Sequence, residues 1–228
     1  MKKALIILSC VVVAGLAFAT AFLLTYDREQ GVTEKPVLYV YSPQEQLVTV
    51  SVDVDGAIDT AYPAPDALET TDWGTRASWT VTASPDGTLT DASGRTYPSL
   101  FWDGPVGQES PEEGFVVARE DAVPFLEEKL ALLGLTDKEA ADFITYWAPR
   151  IRANEYTFVS FDASSYTAHA RYSFTDEAGA PVKPDTFIRV FMTIRQAEVT
   201  MQVREQAFGP TPQRTGLVAV EWGGTEEQ

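Results

Sequence analysis

Few residues in this chain could do chemistry, and they sit where a charge interrupts aromatic sequence. The clusters are Leu100-Phe101-Trp102-Asp103-Gly104, Tyr146-Trp147-Ala148-Pro149-Arg150, Asp185 with Arg189, and Glu221-Trp222-Gly223-Gly224. Asp103 and Glu221 each stand beside a tryptophan at a strand end. Paired acids between aromatic walls suit sugar binding or glycoside hydrolysis. An apolar neighbourhood can also raise one carboxyl pKa enough to make a general acid. On that reading Asp103 and Glu221 are the catalytic acid and base, and Trp102, Trp147, Arg150, Asp185, Arg189 and Trp222 line the binding site. The competing reading is structural: Arg150 and Arg189 pair with Asp103, Asp185 or Glu221, and the tryptophans are core. The structural reading is the stronger, because buried charges are usually paired to hold a fold.

Other chemistries lack their residues. His169 is the only histidine and Cys10 the only cysteine. That removes histidine triads, HExxH zinc sites, thiol nucleophiles and disulfides from the body of the chain. His169 itself reads as solvated, on the outward face of a strand with Thr167 and Arg171. No glycine-rich phosphate loop joins a strand to a helix. Asp53-Val54-Asp55-Gly56 opens like a calcium loop but lacks the later ligands, so a hairpin turn is the better reading. No cofactor and no metal site are expected; an enzyme here would work with carboxylates, at most with a hard cation. The 33 acidic residues outnumber the 17 basic ones and all follow Tyr26. Such a surface repels nucleic acid and anionic headgroups, so nucleic acid is not an expected partner.

The elements that must position these residues are legible from periodicity. Residues Pro184 to Ile194 form an apolar run with Phe187 and Phe191 on one face and Ile188, Val190, Met192 and Ile194 on the other. That pattern suits a strand covered on both sides, into which Arg189 brings a charge that needs a partner. Val37–Tyr41, Leu47–Val54, Ala77–Ala83, Thr88–Thr90 and Thr96–Trp102 read as strands of a meander, with 103–114 as a long loop. Asp121 can cap a helix with the stripe Val123, Leu126, Leu130 and Leu133, ended by Gly134. Thr136-Asp137-Lys138-Glu139 is a capping box for a second helix, with Ala140, Phe143, Ile144 and Trp147 inward and Pro149 as its stop. Strands follow at Tyr156–Phe161, Thr167–Phe174, Val199–Val203 and Leu217–Trp222. The expected fold is α+β: a mainly antiparallel, sandwich-like body with one αα-hairpin packed on it.

Ahead of this body, Lys2 and Lys3 precede the uncharged run Ala4–Tyr26. That run is long enough to span a bilayer, and the lysines keep the N-terminus cytoplasmic. Residues 1–26 are read as a signal anchor, 27–35 as a polar tether and 36–224 as one extracytoplasmic domain. Cleavage after Ala17-Phe18-Ala19 is the alternative and would release the body. Ile7-Leu8-Ser9-Cys10 looks like a lipobox, but its apolar core is short.

The chain also resembles a family of hypothetical extracytoplasmic proteins found in bacteria and fungi. The resemblance spans about residues 35–224. It rests on Lys35-Pro36-Val37-Leu38-Tyr39-Val40-Tyr41, Pro85-Asp86-Gly87-Thr88-Leu89, Leu100–Gly104, Phe143–Arg150, Arg189-Val190-Phe191-Met192 and Glu221–Gly224. Ser42 before Pro43 departs from the pattern, where the tyrosine is expected to meet proline directly. No activity is assigned to that family, so the resemblance implies a shared fold and no chemistry. The expected function is a membrane-anchored domain that binds a protein or a cell-envelope polymer; the alternative is a carboxylate-based hydrolase of glycans or wall material.

Overall fold

The computed structural model describes residues 32–107 and 109–227. Two sheets and a helix pair form three layers. The first sheet runs, in spatial order, β3 (Thr60–Tyr62), β8 (Leu100–Pro105), β1 (Val32–Tyr41), β14 (Val218–Glu226), β13 (Thr186–Ala197), β10 (Tyr156–Phe161) and β9 (Phe115–Ala118). The second runs β12 (Pro181–Val182), β11 (Ala170–Asp176), β2 (Gln46–Val54), β5 (Thr75–Ala83), β6 (Leu89–Thr90) and β7 (Thr96–Tyr97), with β4 (Ala67–Thr70) also on β5. Helices α1 (Ala122–Leu132) and α2 (Asp137–Ile151) cover the first sheet, and a short α3 (Ser164–His169) leads into β11. The body is thus α+β and mainly antiparallel, with an αα-hairpin on a β-sandwich, as its periodicities imply.

The first sheet is the middle layer, and β13 is buried on both faces. Ile188, Val190, Met192 and Ile194 enter the core under the helices, while Phe191 enters the core between the sheets, with Phe187 packed against it. In the second sheet the alternation is one-sided. Val48, Val50, Val52 and Val54 of β2 and Ala77, Trp79, Val81 and Ala83 of β5 are buried. The opposite face is wet and carries cross-strand hydroxyl pairs, Thr49–Thr80 at 3.0 Å and Ser51–Ser78 at 2.8 Å. Such pairs hold two strands in register.

The helix signals act where they were expected, with two differences. Thr136 and Glu139 form the reciprocal capping box of α2. Gly134 takes φ +91° after α1, and Leu135 N–H reaches the Leu130 carbonyl while Gly134 N–H reaches Ala131. That is a Schellman stop, which a side chain at Gly134 would strain. Asp121, however, caps nothing with its side chain, because a 3-10 turn at Arg119–Asp121 already leads into α1. Pro149 does not stop α2, which runs on to Ile151. The proline costs one N–H bond in the last turn, and Arg150 Nη1 supplies a donor to the neighbouring Tyr146 carbonyl at 2.9 Å.

Three expected strand features differ. Asp55-Gly56 does not make a hairpin: the chain crosses there from β2 in the second sheet to β3, which pairs with β8 in the first. Thr167–His169 belongs to α3, because Ser164 N–H is taken by Asp162 and Thr167 bonds back to Ser164. Local side-chain bonds of this kind compete with a strand ladder. Val199–Val203 is not a strand. β13 and β14 are parallel neighbours, so residues 198–217 must carry the chain back along the sheet, and among the described residues they pair only through an isolated bridge at Arg204. At the other end β1 begins at Val32, inside the stretch read as tether, with a register slip between Glu34 and Val37.

The crossing of β13, β14 and α2 leaves no room at Gly224. A methyl group there would meet the Met192 carbonyl and sit 2.6 Å from a Trp147 ring carbon. Gly224→Ala is therefore expected to lower stability by about 1–3 kcal/mol, the usual cost of overpacking. Urea unfolding would show it as a lower midpoint at unchanged slope; a midpoint equal to the parent's would refute the tight crossing.

Candidate functional site

Arg189 and Glu221 are register partners on β13 and β14. Glu221 is 1% exposed. One of its oxygens accepts from Arg189 Nε and the other from the Tyr166 hydroxyl, each at 2.6 Å. Arg189 Nη2 also donates to the Ala170 carbonyl at 3.0 Å. The guanidinium sits among the rings of Tyr166, Tyr172 and Phe187, 5.1, 5.3 and 5.4 Å from their centres. Trp102 Nε1 donates to the Tyr172 hydroxyl at 2.7 Å, and Tyr166 stacks on Phe191. Burial, and then the Glu221 charge, hold both tyrosine phenols well above their ordinary pKa, so they stay protonated. Burial alone would lower the Arg189 pKa; the charge and hydrogen bond of Glu221, together with the Tyr166 and Tyr172 phenols, outweigh it and raise it. Every charge in this cluster is hydrogen-bonded, which is the condition for keeping an ion pair away from water.

The structure does not bring Asp103 and Glu221 into one cleft. Asp103 shares its face of β8 with Phe101, which packs toward the helices, while Trp102 packs between the sheets. Glu221 lies between Val220 and Trp222, both on the helix side, so it points between the sheets. The two acids leave the same sheet on opposite faces, and Glu221 is closed in by Arg189 and Tyr166. Of the other candidates, Trp147 and Trp222 are fully buried under the helices around Phe143, and Trp222 Nε1 donates to the Tyr39 hydroxyl at 3.3 Å. Trp147 Nε1 is buried with no hydrogen-bond partner among the described residues. Arg150 lies 3.8 Å over the Tyr146 ring. Asp185 accepts the Leu217 N–H at 2.8 Å and so fixes the entry to β14. His169 is partly exposed and pairs with Asp55 at 3.1 Å. Trp102, Arg189 and Glu221 therefore converge, and Asp103, Arg150 and Asp185 stand apart from them.

A second ionic cluster was legible in sequence only as a capping box. Glu139 is fully buried; it accepts from Tyr41 at 2.7 Å, from Thr136 N at 2.7 Å and from Arg214 at 3.0 Å. Arg214 also donates to the Gly134 carbonyl at 2.7 Å. One turn on, Asp142 accepts from Tyr39 at 2.8 Å. Tyr39 and Tyr41 share a face of β1, and Glu139 and Asp142 share a face of α2, so the two spacings match. Burial alone would raise the Glu139 pKa, but the Arg214, Thr136 and Tyr41 hydrogen bonds outweigh it and hold it below the ordinary value.

One groove open to solvent lies elsewhere, at the rim where β3 meets the β6–β7 hairpin. A groove of about 390 Å³ runs between Tyr62 and Asp66 on one side and Ser93, Arg95 and Tyr97 on the other. Tyr62 is 56% exposed and meets Tyr97 edge to face, ring centres 5.8 Å apart. Asp66 accepts the Thr80 N–H at 2.6 Å through one oxygen. Asp91 ties the hairpin: it accepts from Ser93, Arg95 N–H and the Tyr97 hydroxyl. The Ser93 hydrogen bond, with help from Arg95 N–H and Tyr97, lowers the Asp91 pKa to about 2, so it is ionised at any physiological pH. Sequence reading passed over this groove because its residues come from three separate stretches, and no motif in any one of them points to the others.

Among the described residues, no three His, Cys, Asp or Glu side chains are grouped to hold a metal ion, and no helix is long and apolar enough to cross a membrane. The expected anchor at 4–26 lies outside the described residues. No family model, curated protein or solved structure matches this chain.

Two outcomes follow from the ionic clusters. Arg189→Met and Glu221→Leu should each cost about 3–5 kcal/mol by stranding a buried charge, and the double variant should recover most of that loss. Chemical denaturation of all four proteins measures it; single variants as stable as the parent would refute the buried pair. For Glu139, a folded pKa below the unfolded value of about 4.3 gives stability that is present above that pH and lost as pH falls through the folded pKa. Glu139→Gln should flatten the fall in stability on acidification below about pH 4.3, read from thermal melts across pH.

Proposed function

We propose that this chain is a membrane-anchored extracytoplasmic binding module that holds a protein or a cell-envelope polymer. The observation that carries it is the rim groove: a concave, aromatic-sided opening on a scaffold whose two buried carboxylates, Glu139 and Glu221, are each closed in by an arginine. Its volume falls within the range of about 300–1,000 Å³ typical of ligand sites. The acids once paired as catalysts give no comparable support to hydrolysis, since Glu221 meets Arg189 and Tyr166 in place of solvent.

The position of the groove also favours display. β1 leaves the tether at Val32, and Tyr62 is level with Val37 through their common neighbour Phe101. At a strand rise of about 3.3 Å per residue, that places Tyr62 about 16 Å along the sheet from the tether.

The test is co-sedimentation of the full chain with isolated cell-wall material, together with cross-linking on intact cells. Saturable sedimentation, or one reproducible cross-linked envelope protein, is expected. A chain that stays in the supernatant at every load and cross-links to nothing overturns the proposal.

A further inference from the structure

We propose that the Tyr62 groove is a glycan subsite, taking a neutral pyranoside unit against the Tyr62 ring, with Asp66 and Arg95 bonding its hydroxyl groups. The inference rests on the reading of the chain as a binding module and names its ligand.

Three observations point to a sugar. Tyr62 is the most exposed aromatic ring among the exposed large hydrophobic residues, and it is held by an edge-to-face contact with the buried Tyr97. An aromatic ring held by one neighbour and more than half exposed can serve as a platform for the C–H face of a pyranose. Around it stand polar groups with capacity to spare. Asp66 uses one oxygen on Thr80 N–H and has no other partner among the described residues. Arg95 lies 5.7 Å from the Tyr97 ring centre and makes no ion pair among the described residues. An acceptor and a donor flanking one aromatic face match the vicinal hydroxyls of a sugar, which offer both. Lastly, the groove is pre-formed: Asp91 fixes the hairpin that carries Arg95 and Tyr97 through bonds to Ser93, Arg95 N–H and Tyr97. A site built before binding avoids the entropy of ordering itself.

Charge narrows the class. Asp66 and Asp91 face one arginine here, on a chain of net charge −16. A uronate or phosphate polymer would meet repulsion, so a neutral or N-acetylated glycan fits. A proline-rich peptide would need parallel aromatic ridges, whereas Tyr62 and Tyr97 meet at 84° and only Tyr62 is open.

The experiment is titration calorimetry on the full chain, in a detergent without a sugar headgroup, with cellotetraose, xylotetraose and chitotetraose as separate probes. At least one should bind. Tyr62→Ala should weaken it about tenfold or more, a loss equivalent to about 1.4 kcal/mol, and Tyr62→Phe should bind like the parent. Arg95→Met and Asp66→Asn should weaken binding with melting temperature unchanged; Asn keeps an acceptor for Thr80 N–H. A Tyr62→Ala variant that binds as tightly as the parent overturns the subsite, as does a proline-rich peptide that binds where all three glycans fail. If no glycan binds but the chain still sediments with cell-wall material, this assignment falls and the binding module stands. If no glycan binds and the chain neither sediments nor cross-links, both fall.

Discussion

The ion pair between Arg189 and Glu221 is the constraint on which the centre of the structure depends. Two charges withdrawn from water are tolerated only in a geometry that satisfies each of them. Here that geometry requires β13 and β14 in one parallel register, α3 delivering Tyr166, and β11 delivering the Ala170 carbonyl. A slip of one residue on either strand would turn the charge into the helix-side apolar core. The pair therefore specifies the pairing of β13 with β14 more than it adds to stability. It also explains why the aromatic residues crowd there: their rings shield the pair, and the phenol of Tyr166 completes the shell of Glu221.

Glu139 plays the matching part on the other face. A capping residue normally serves its own helix, but this one also receives Tyr41 from β1 and Arg214 from the 198–217 crossover. Sheet, helix and crossover meet at one carboxylate. The long connection demanded by parallel strands is thereby pinned without a helix of its own, with Phe208 packed into the same core and Gln206 bonded to the Phe161 backbone.

Much of this architecture was legible in the chain. The two-faced run at 187–194, the one-sided alternation of 47–54 and 77–83, and the capping box at Thr136 each declare their element, because burial imposes period on sequence. The need of Arg189 for a partner was legible too, since a charge inside an apolar strand has few ways to persist. Apart from the local turns at Asp121 and Thr167–His169, what failed depended on partners distant in sequence. Val199–Val203 has strand composition but no neighbour to pair with. Asp55-Gly56 has turn composition but feeds a different sheet. Asp103 and Glu221 look alike beside their tryptophans, and only the parity of each strand shows that they face apart. The rim groove left no signature, because Tyr62, Asp66 and Arg95 are ordinary residues until three turns converge.

The pairing of β1 with β14 has a consequence for the order of events in folding. These strands join Glu34 to Gly224 at the middle of the first sheet, nearly the full described length apart. Contacts of such separation close large loops and are among the slowest to form. The second sheet can assemble from β2 and β5 as they appear, but the layer that holds both cores must wait for the last strand. The middle layer is therefore kept open until β14 is available to pair. Such delay suits the export proposed here, since a polypeptide threaded through a membrane must not have closed its core beforehand.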